Sequence, residues 1–330
     1  MGLSLGDISK RTGGDETMVR RARISLGALD KASKDTGVNL TLGLLECGMW
    51  VDSSASLAHA YHDGSIQATT DRALAWIAVV DNNGETEIGF FDTNAHQPAT
   101  LNLGNYRGWV RANQPRELGA TNLYAALVAG AKMAAKALKA PQILDLIMAE
   151  ASGGGRGMFS RGGSTRQVGL SDSGSRYITP LGQLKPVKTE RIYHLTVVAD
   201  GGSNRGPRPF HSAIQELIVR LSYAGIFIKF IFVGDDEEGR EFLELLDDLP
   251  VAKHPNDLAD PSDPSDPRRD HVDYYEGTRY IDNVSKVEFP RGLALVSDED
   301  FAGAMTEELP TYVPSAVRRS LVTTDHLVMV

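Results

Sequence analysis

Cysteine is almost absent: among 330 residues only Cys47 carries a thiol. One cysteine excludes a disulfide framework and any CxxC metal or redox motif, and its place inside an apolar run argues against reactive thiol chemistry. No run of about 18 or more apolar residues occurs, so no stretch reads as a membrane span. The N-terminal MGLSLGDISKRTGG also lacks the continuous apolar core of a secretory signal. A cytoplasmic protein is the expectation. Basic charge is short as well: 34 Lys and Arg face 43 Asp and Glu, a net charge of −9. Such a balance argues against a nucleic-acid partner for the chain as a whole.

What is present is a soluble globular composition, 42% apolar and 23% charged, with enough chain for one large core or two modest ones. The organising stretch is 40–57, LTLGLLECGMWVDSSASL. Leu42, Leu44, Leu45, Met49, Trp50 and Val51 are too apolar for a surface strand and read as a central strand covered on both faces. It ends in Asp52-x-Ser54-x-Ser56. In open α/β sheets ligands bind at the carboxyl ends of central strands, and a carboxylate with two hydroxyls there suits Mg²⁺ or Mn²⁺. Taken alone the motif is short, and either serine could merely cap the next helix.

Along the chain, residues 1–15 read as a loose polar arm. Helical spacing of Met18, Ala22, Leu26 and Leu29 predicts a helix from Asp15 to Lys34 with Gly37 as its stop. A second amphipathic stripe runs from Ile66 to Val80. After a turn at 82–84, Thr86 to Asp92 reads as a strand beside the first, and Ala99 to Leu103 as a short edge strand. A short helix is expected at Tyr106 to Ala112, and a longer one after Gly119-Ala120-Thr121-Asn122. From about 142 to 188 the pattern lapses, with eight glycines between Gly153 and Gly174, and an inserted loop is expected. Strands at Ile192 to Asp200, Ile226 to Val233 and Val284 to Phe289 then alternate with helices at 210–221, 242–249 and 298–309. A second insertion, rich in Asp and Pro, occupies about 255–275. Alternating strands and helices imply a doubly wound, mostly parallel α/β sheet with helices on both faces and two loop insertions.

If the strands are neighbours, Asp52, Ser54, Ser56, Thr121 and Asp200 converge at the top of the sheet. Two carboxylates and three hydroxyls would make an oxygen site for Mg²⁺ or Mn²⁺ with water in the remaining places. So little direct charge would leave the ion able to accept an Asp or Glu from a protein partner. That is a binding device more than a catalyst.

These five residues resemble, position for position, the metal-ion-dependent adhesion site of von Willebrand factor type A (vWA) domains. A longer pattern is similar to the tellurium-resistance, TerF-like branch: HAYHDGSIQATTDRALAWIAVVDNNGETEIGFFDTNAH (59–96), NYRGWV (105–110), GATN (119–122), VVADGG (197–202), FVGDDEEGREFLELLDDLP (232–250) and DNVSKVEF (282–289). The resemblance implies a vWA/Rossmann-like fold and Mg²⁺-dependent protein binding in stress-response or phage-related systems, without enzymatic activity. It covers roughly residues 20–310 apart from the two insertions; together with the pattern along the chain, the expectation is an N-terminal arm and helix at 1–39 and one vWA-like domain at 40–330, with insertions at about 142–190 and 251–281. Leu57 replaces the usual Met, which should matter little to packing. Gly202 stands where an acid often follows Asp-Gly, which could weaken metal affinity or alter partner choice.

Plainer roles suffice elsewhere. His59, His62 and His96 lack the spacing of a zinc site, Trp50, Trp76 and Trp109 read as core or cover, and Asp63 serves a helix dipole. The acidic run Asp235, Asp236, Glu237, Glu238 fits a solvated helix start. A metal-dependent hydrolase or phosphatase is the enzymatic alternative, but such enzymes usually place a second aspartate where Ser54 stands. A dinucleotide site fails because no G-x-G-x-x-G follows the first strand. A structural assembly protein that ignores metal is the remaining reading. The insertions are expected at the amino ends of the strands, away from the metal. The first is basic (Arg156, Arg161, Arg166, Arg176, Lys185, Lys188) and the second acidic (Asp257, Asp260, Asp263, Asp266, Asp270, Asp273, Glu276), so salt-sensitive self-association through them is an expectation.

Overall fold

The buried strand β1 (Leu45–Asp52) lies between β2 (Glu85–Phe91) and β6 (Ile192–Ala199), hydrogen-bonded in parallel to both. In the computed structural model, residues 2–37, 39–40, 44–81, 83–150, 176–177, 183–201, 209–247, 249, 281–289 and 295–323 are described. The sheet continues through β7 (Ile226–Phe232) to β8 (Val284–Glu288), both parallel, and is closed on the other side by antiparallel β3 (Ala99–Asn102). Its order is β3-β2-β1-β6-β7-β8, the doubly wound, mostly parallel arrangement that the alternation of elements implies. A separate two-stranded piece pairs β4 (Ala149–Glu150) with β5 (Arg176–Tyr177).

Period-two alternation sorts the strands onto two faces. Cys47, Met49, Val51, Ile88, Phe90, Val198, Phe227 and Ile231 join one core with α1 (Leu5–Arg11), α2 (Glu16–Thr36), α4 (Ser65–Val80), α10 (Asp298–Thr306) and α11 (Leu309–Arg318). Trp50, Phe91, Tyr193, Leu195, Val197, Ile228 and Phe230 join the other with α6 (Leu123–Ala137), α7 (Ile143–Ile147), α8 (Pro209–Leu221) and α9 (Glu237–Asp247). Short helices α3 (Ala58–His62) and α5 (Trp109–Asn113) complete the set. Among the described residues no helix is long and apolar enough to cross a membrane.

Helix α2 has the expected ends. Asp15 caps it by accepting from the Thr17 and Met18 amides, and Gly37 terminates it at φ 70. Three expectations need correction. Residues 1–15 are not a loose arm: Ser4 caps α1, Ile8 is fully buried, and the Leu3 amide donates to the Ala78 carbonyl at 3.0 Å. The 142–188 stretch does not begin as a loop, because Ile143, Leu146 and Ile147 give α7 a buried side at i, i+3, i+4 spacing. Near the C-terminus two helices replace one: α10 ends at Thr306 and α11 begins after Glu308, at φ 62, with Pro310 in its first turn. The second insertion and residues 151–175 of the first lie outside the described residues, and with them most of the charges from which self-association is expected.

One feature of β7 interrupts its apolar run. Lys229 is fully buried on the face of α10 and α11, paired in register with Thr196 on one side and Ser285 on the other. Its ammonium donates to Ser285 Oγ at 2.5 Å and to the Glu307 carbonyl at 3.1 Å. Burial lowers its pKa to about 8, against the raising influence of Glu308, Glu307 and Asp247. A cation at the carboxyl end of α10 is favoured by the helix dipole.

Candidate metal centre

The carboxyl ends of β1 and β6 lie side by side, with Val51 paired to Val198, so the residues that follow each strand meet. Asp52 is the last residue of β1. Its Oδ1 accepts the Ser54 amide at 2.7 Å, which turns the chain sharply and brings the Ser54 and Ser56 hydroxyls to 2.9 Å from each other. Ser56 in turn donates to Asp200 Oδ2, the residue after β6. Ser53 points away, its amide and hydroxyl both bonded to the Phe91 carbonyl of β2. This alternation keeps Ser54 and Ser56 on the site and Ser53 off it.

Thr121 arrives from a third loop. Ser54 bridges to Gly119, whose carbonyl accepts the Ala55 amide at 3.1 Å. Gly119 fits there because a methyl group would come within 2.9 Å of the Asp92 side chain. Thr93 Oγ1 holds the Ala120 amide, and Asn122 caps α6 while its amide donates to the Thr93 carbonyl. Thr121, fixed between these anchors, stands beside Asp52 and helps to stabilise its carboxylate. All five residues named from sequence are therefore brought to one place. Asp52, Thr121 and Asp200 are 0%, 2% and 3% exposed, while Ser56 is exposed at the mouth.

Of the eight buried side-chain polar atoms without a hydrogen-bond partner among the described residues, two lie here: Asp52 Oδ2 and Thr121 Oγ1. Buried polar atoms are rarely left so, and the acid's position is costly on its own. Burial first, and the neighbouring Asp200 second, push the Asp52 pKa well above the usual carboxylate range, against the lowering influence of Ser54 and the nearby Thr121. Two carboxylates and three hydroxyls are a hard-oxygen donor set that could hold a divalent cation, which would relieve both the repulsion and the unpartnered oxygens. No group of three or more His, Cys, Asp or Glu placed to hold a metal occurs among the described residues, this site included, since it carries only two carboxylates beside its hydroxyls.

Residues 45–154 match the family model of the vWA-TerF-like domains, described as the vWA found in the TerF C terminus. Over these 110 of 330 residues the chain is similar to a TerF-like vWA domain. The match spans β1 to the start of the first insertion, and so includes Asp52, Ser54, Ser56 and Thr121; Asp200 lies beyond it. The matched family suggests a protein-interaction module and associates this stretch with the tellurium-resistance, TerF-like branch. No curated protein matches the chain.

Sequence reasoning missed several supports of this site. Tyr61, on α3, donates its hydroxyl to the Asp52 carbonyl at 2.7 Å. Asp92, Thr93 and Gly119 shape the loop that delivers Thr121, and they also line a surface cleft of about 450 Å³ with His96, Arg116 and Leu118. Only Gly119 and Asn122, in the helix opening Gly119-Ala120-Thr121-Asn122, are visible in sequence, because the other contacts join segments distant along the chain. His59 and His62 do not join the oxygen cluster: His59 contacts the Ser56 carbonyl from an exposed position.

Proposed function

We propose that this vWA domain is a metal-dependent protein-binding module. Asp52, Ser54, Ser56, Thr121 and Asp200 hold one Mg²⁺ or Mn²⁺, and an Asp or Glu of a partner protein completes the ion's coordination. The observation that carries this reading is the pair of unpartnered buried oxygens, Asp52 Oδ2 and Thr121 Oγ1, where three loops meet. The exposed Ser56 leaves one side of the cluster open to another molecule. Bound there, the ion supplies Lewis acidity and open coordination positions that a carboxylate can fill.

The chain's own residues support binding rather than turnover. Ser54 occupies the place, two residues after Asp52, where a phosphoryl-transfer enzyme would have its acid–base aspartate. Role in the cell follows the family: a protein contact in a tellurium-resistance or related stress response, made in the cytoplasm.

The test uses the immobilised full chain. Retention of a partner should need Mg²⁺, be reversed by EDTA, disappear in Asp52→Ala, and fail when one acidic residue of the partner is neutralised. Partner retention that survives EDTA would contradict the proposal. Metal-dependent hydrolysis of a phosphate ester, lost in Asp52→Ala, would favour the enzymatic reading instead.

A further inference from the structure

The elbow between α10 and α11, at Glu307 and Glu308, closes over a buried polar knot. The Glu307 carbonyl accepts from the Lys229 ammonium at 3.1 Å, and Thr306 Oγ1, at the end of α10, accepts the Trp76 indole N–H at 3.1 Å. From Trp76 a chain of rings runs beneath the elbow. Trp76 lies 4.8 Å from His194, His194 lies 5.5 Å from Phe227, and Phe227 lies 5.1 Å from Tyr312 of α11, centre to centre. The Lys229 ammonium stands 5.7 Å from the centre of the same Phe227 ring. The elbow and α11 therefore rest on two buried ionisable side chains, His194 and Lys229.

Several features work against this closure. His194 Nε2 and Tyr312 Oη are buried without a hydrogen-bond partner, a desolvation cost that contact with water removes. Lys229 keeps a charge in the core. Glu308 takes a left-handed φ of 62, which a side chain resists, and Pro314, inside α11, has no N–H for the helix ladder. What holds α11 down is one apolar stripe: Leu309, Tyr312, Val313 and Ala316, at i, i+3, i+4, i+7 spacing and all buried.

We infer that α11 and the elbow before it form a proton-operated latch, closed at neutral pH and opened when His194 takes up a proton beneath it. His194 is faced by Cys47 of β1, Thr196 of its own strand, Phe227 and Lys229 of β7 and Trp76 of α4. Burial first, and repulsion by Lys229 second, lower its pKa from 6.5 to about 3. Lys229 is faced by Ser285 of β8, Glu307 and Glu308 of the elbow and Asp247 of α9, and burial outweighs those acids to lower its pKa from 10.5 to about 8. An open latch returns both groups to water and to their ordinary values. Protons therefore favour opening in two steps: through Lys229 as pH falls from 10.5 to 8, and through His194 as it falls below 6.5. Opening bares the apolar stripe of α11. His194 precedes Asp200 by six positions, roughly 20 Å of strand, so the latch stands apart from the metal reading and does not depend on it.

The experiment is hydrogen–deuterium exchange of the full chain at pH 5, 7 and 9, with each rate corrected for the intrinsic pH dependence of amide exchange. From pH 7 to pH 5 the opening of residues 309–318 should rise about 25-fold while β6 keeps its protection, and from pH 7 to pH 9 it should fall about tenfold. His194→Phe should abolish the acid step and Lys229→Met the alkaline one. Exchange of 309–318 in step with β6 at all three pH values would mean that α11 is released only by global unfolding, and would overturn the inference. That comparison needs the wild type alone, so it decides even where a variant fails to fold. An acid step that persists in folded His194→Phe would overturn it as well.

Discussion

Ser56, on the turn after β1, donates its hydroxyl to Oδ2 of Asp200, 144 positions further along the chain. The bond joins the loops of two adjacent strands at the one edge of the sheet where their carboxylates would otherwise repel. It also shows why the site depends on the whole sheet: the Val51–Val198 register must form before Ser56 and Asp200 can meet. The same geometry leaves Asp52 buried, acidic and incompletely partnered, which sets the first expectation.

Asp52→Asn should stabilise the metal-free protein while abolishing its response to Mg²⁺. The substitution removes a buried negative charge beside Asp200 and keeps an oxygen for the Ser54 amide, a gain of about 1–3 kcal/mol. Urea unfolding in EDTA reads the gain, and the same curves in excess Mg²⁺ should favour the wild type through ligand linkage. A variant less stable than wild type in EDTA would show that the Asp52 charge is not a local cost.

Gly89→Ala should destabilise the fold by about 1–3 kcal/mol through overpacking. Gly89 pairs with Trp50 across β1 and β2, and a methyl group there would lie 2.3 Å from the indole ring. Trp50→Phe should recover much of the loss in the double variant. Equal losses with and without the Trp50 change would mean that the ring is not what Gly89 accommodates.

Part of this was legible in the sequence and part was not. Trp50 reads as buried from its neighbours, but nothing near Gly89 announces that a tryptophan packs over it, because the pairing is set by strand register. The five oxygen residues stand out because three of them share one short motif and the other two lie at strand or helix ends. Lys229 was hidden by the apolar residues around it in IFIKFIFV. Its partners, Ser285 and the Glu307 carbonyl, come from later elements. Helix α1 was missed because its polar surface masks the single residue, Ile8, that it buries completely.

Acid should weaken the protein partly through His194. The ring is fully buried between Trp76 and Phe227, with centroids at 4.8 and 5.5 Å. Burial, and then the charge of Lys229, lower its pKa from 6.5 to about 3. The folded state thus favours the neutral ring, so its contribution is present above about pH 6.5 and is lost as pH falls toward 3. Between pH 7 and pH 5 the loss is about 2 kcal/mol. In His194→Phe, denaturant unfolding at the two pH values should show a change smaller by that amount; an identical pH dependence would exclude this role.

Asp298→Ala should loosen the contact between the N-terminal helices and α10. Its carboxylate accepts from Arg20 at 2.9 Å, Arg21 at 3.0 Å and Arg72 at 3.1 Å. Although burial raises its pKa, Arg21, Arg72 and Arg20 outweigh that and hold it below the ordinary value. Removing it takes the carboxylate from the largely buried Arg21 and Arg72, although Arg72 keeps its bond to the Val296 carbonyl, at a cost of roughly 1–3 kcal/mol. Limited proteolysis should then cut within residues 2–37 earlier than in the wild type, and an unchanged cleavage pattern would argue that apolar packing alone holds the segment.

The most direct measurement is a calorimetric titration of Mg²⁺, repeated with Mn²⁺, into the full chain and into Asp52→Ala, with circular dichroism to confirm that both are folded. One ion bound per wild-type chain, and none by the folded variant, is the expected result. Equal affinity in the two proteins, or no binding to the wild type at millimolar metal, would contradict a metal centre built on Asp52.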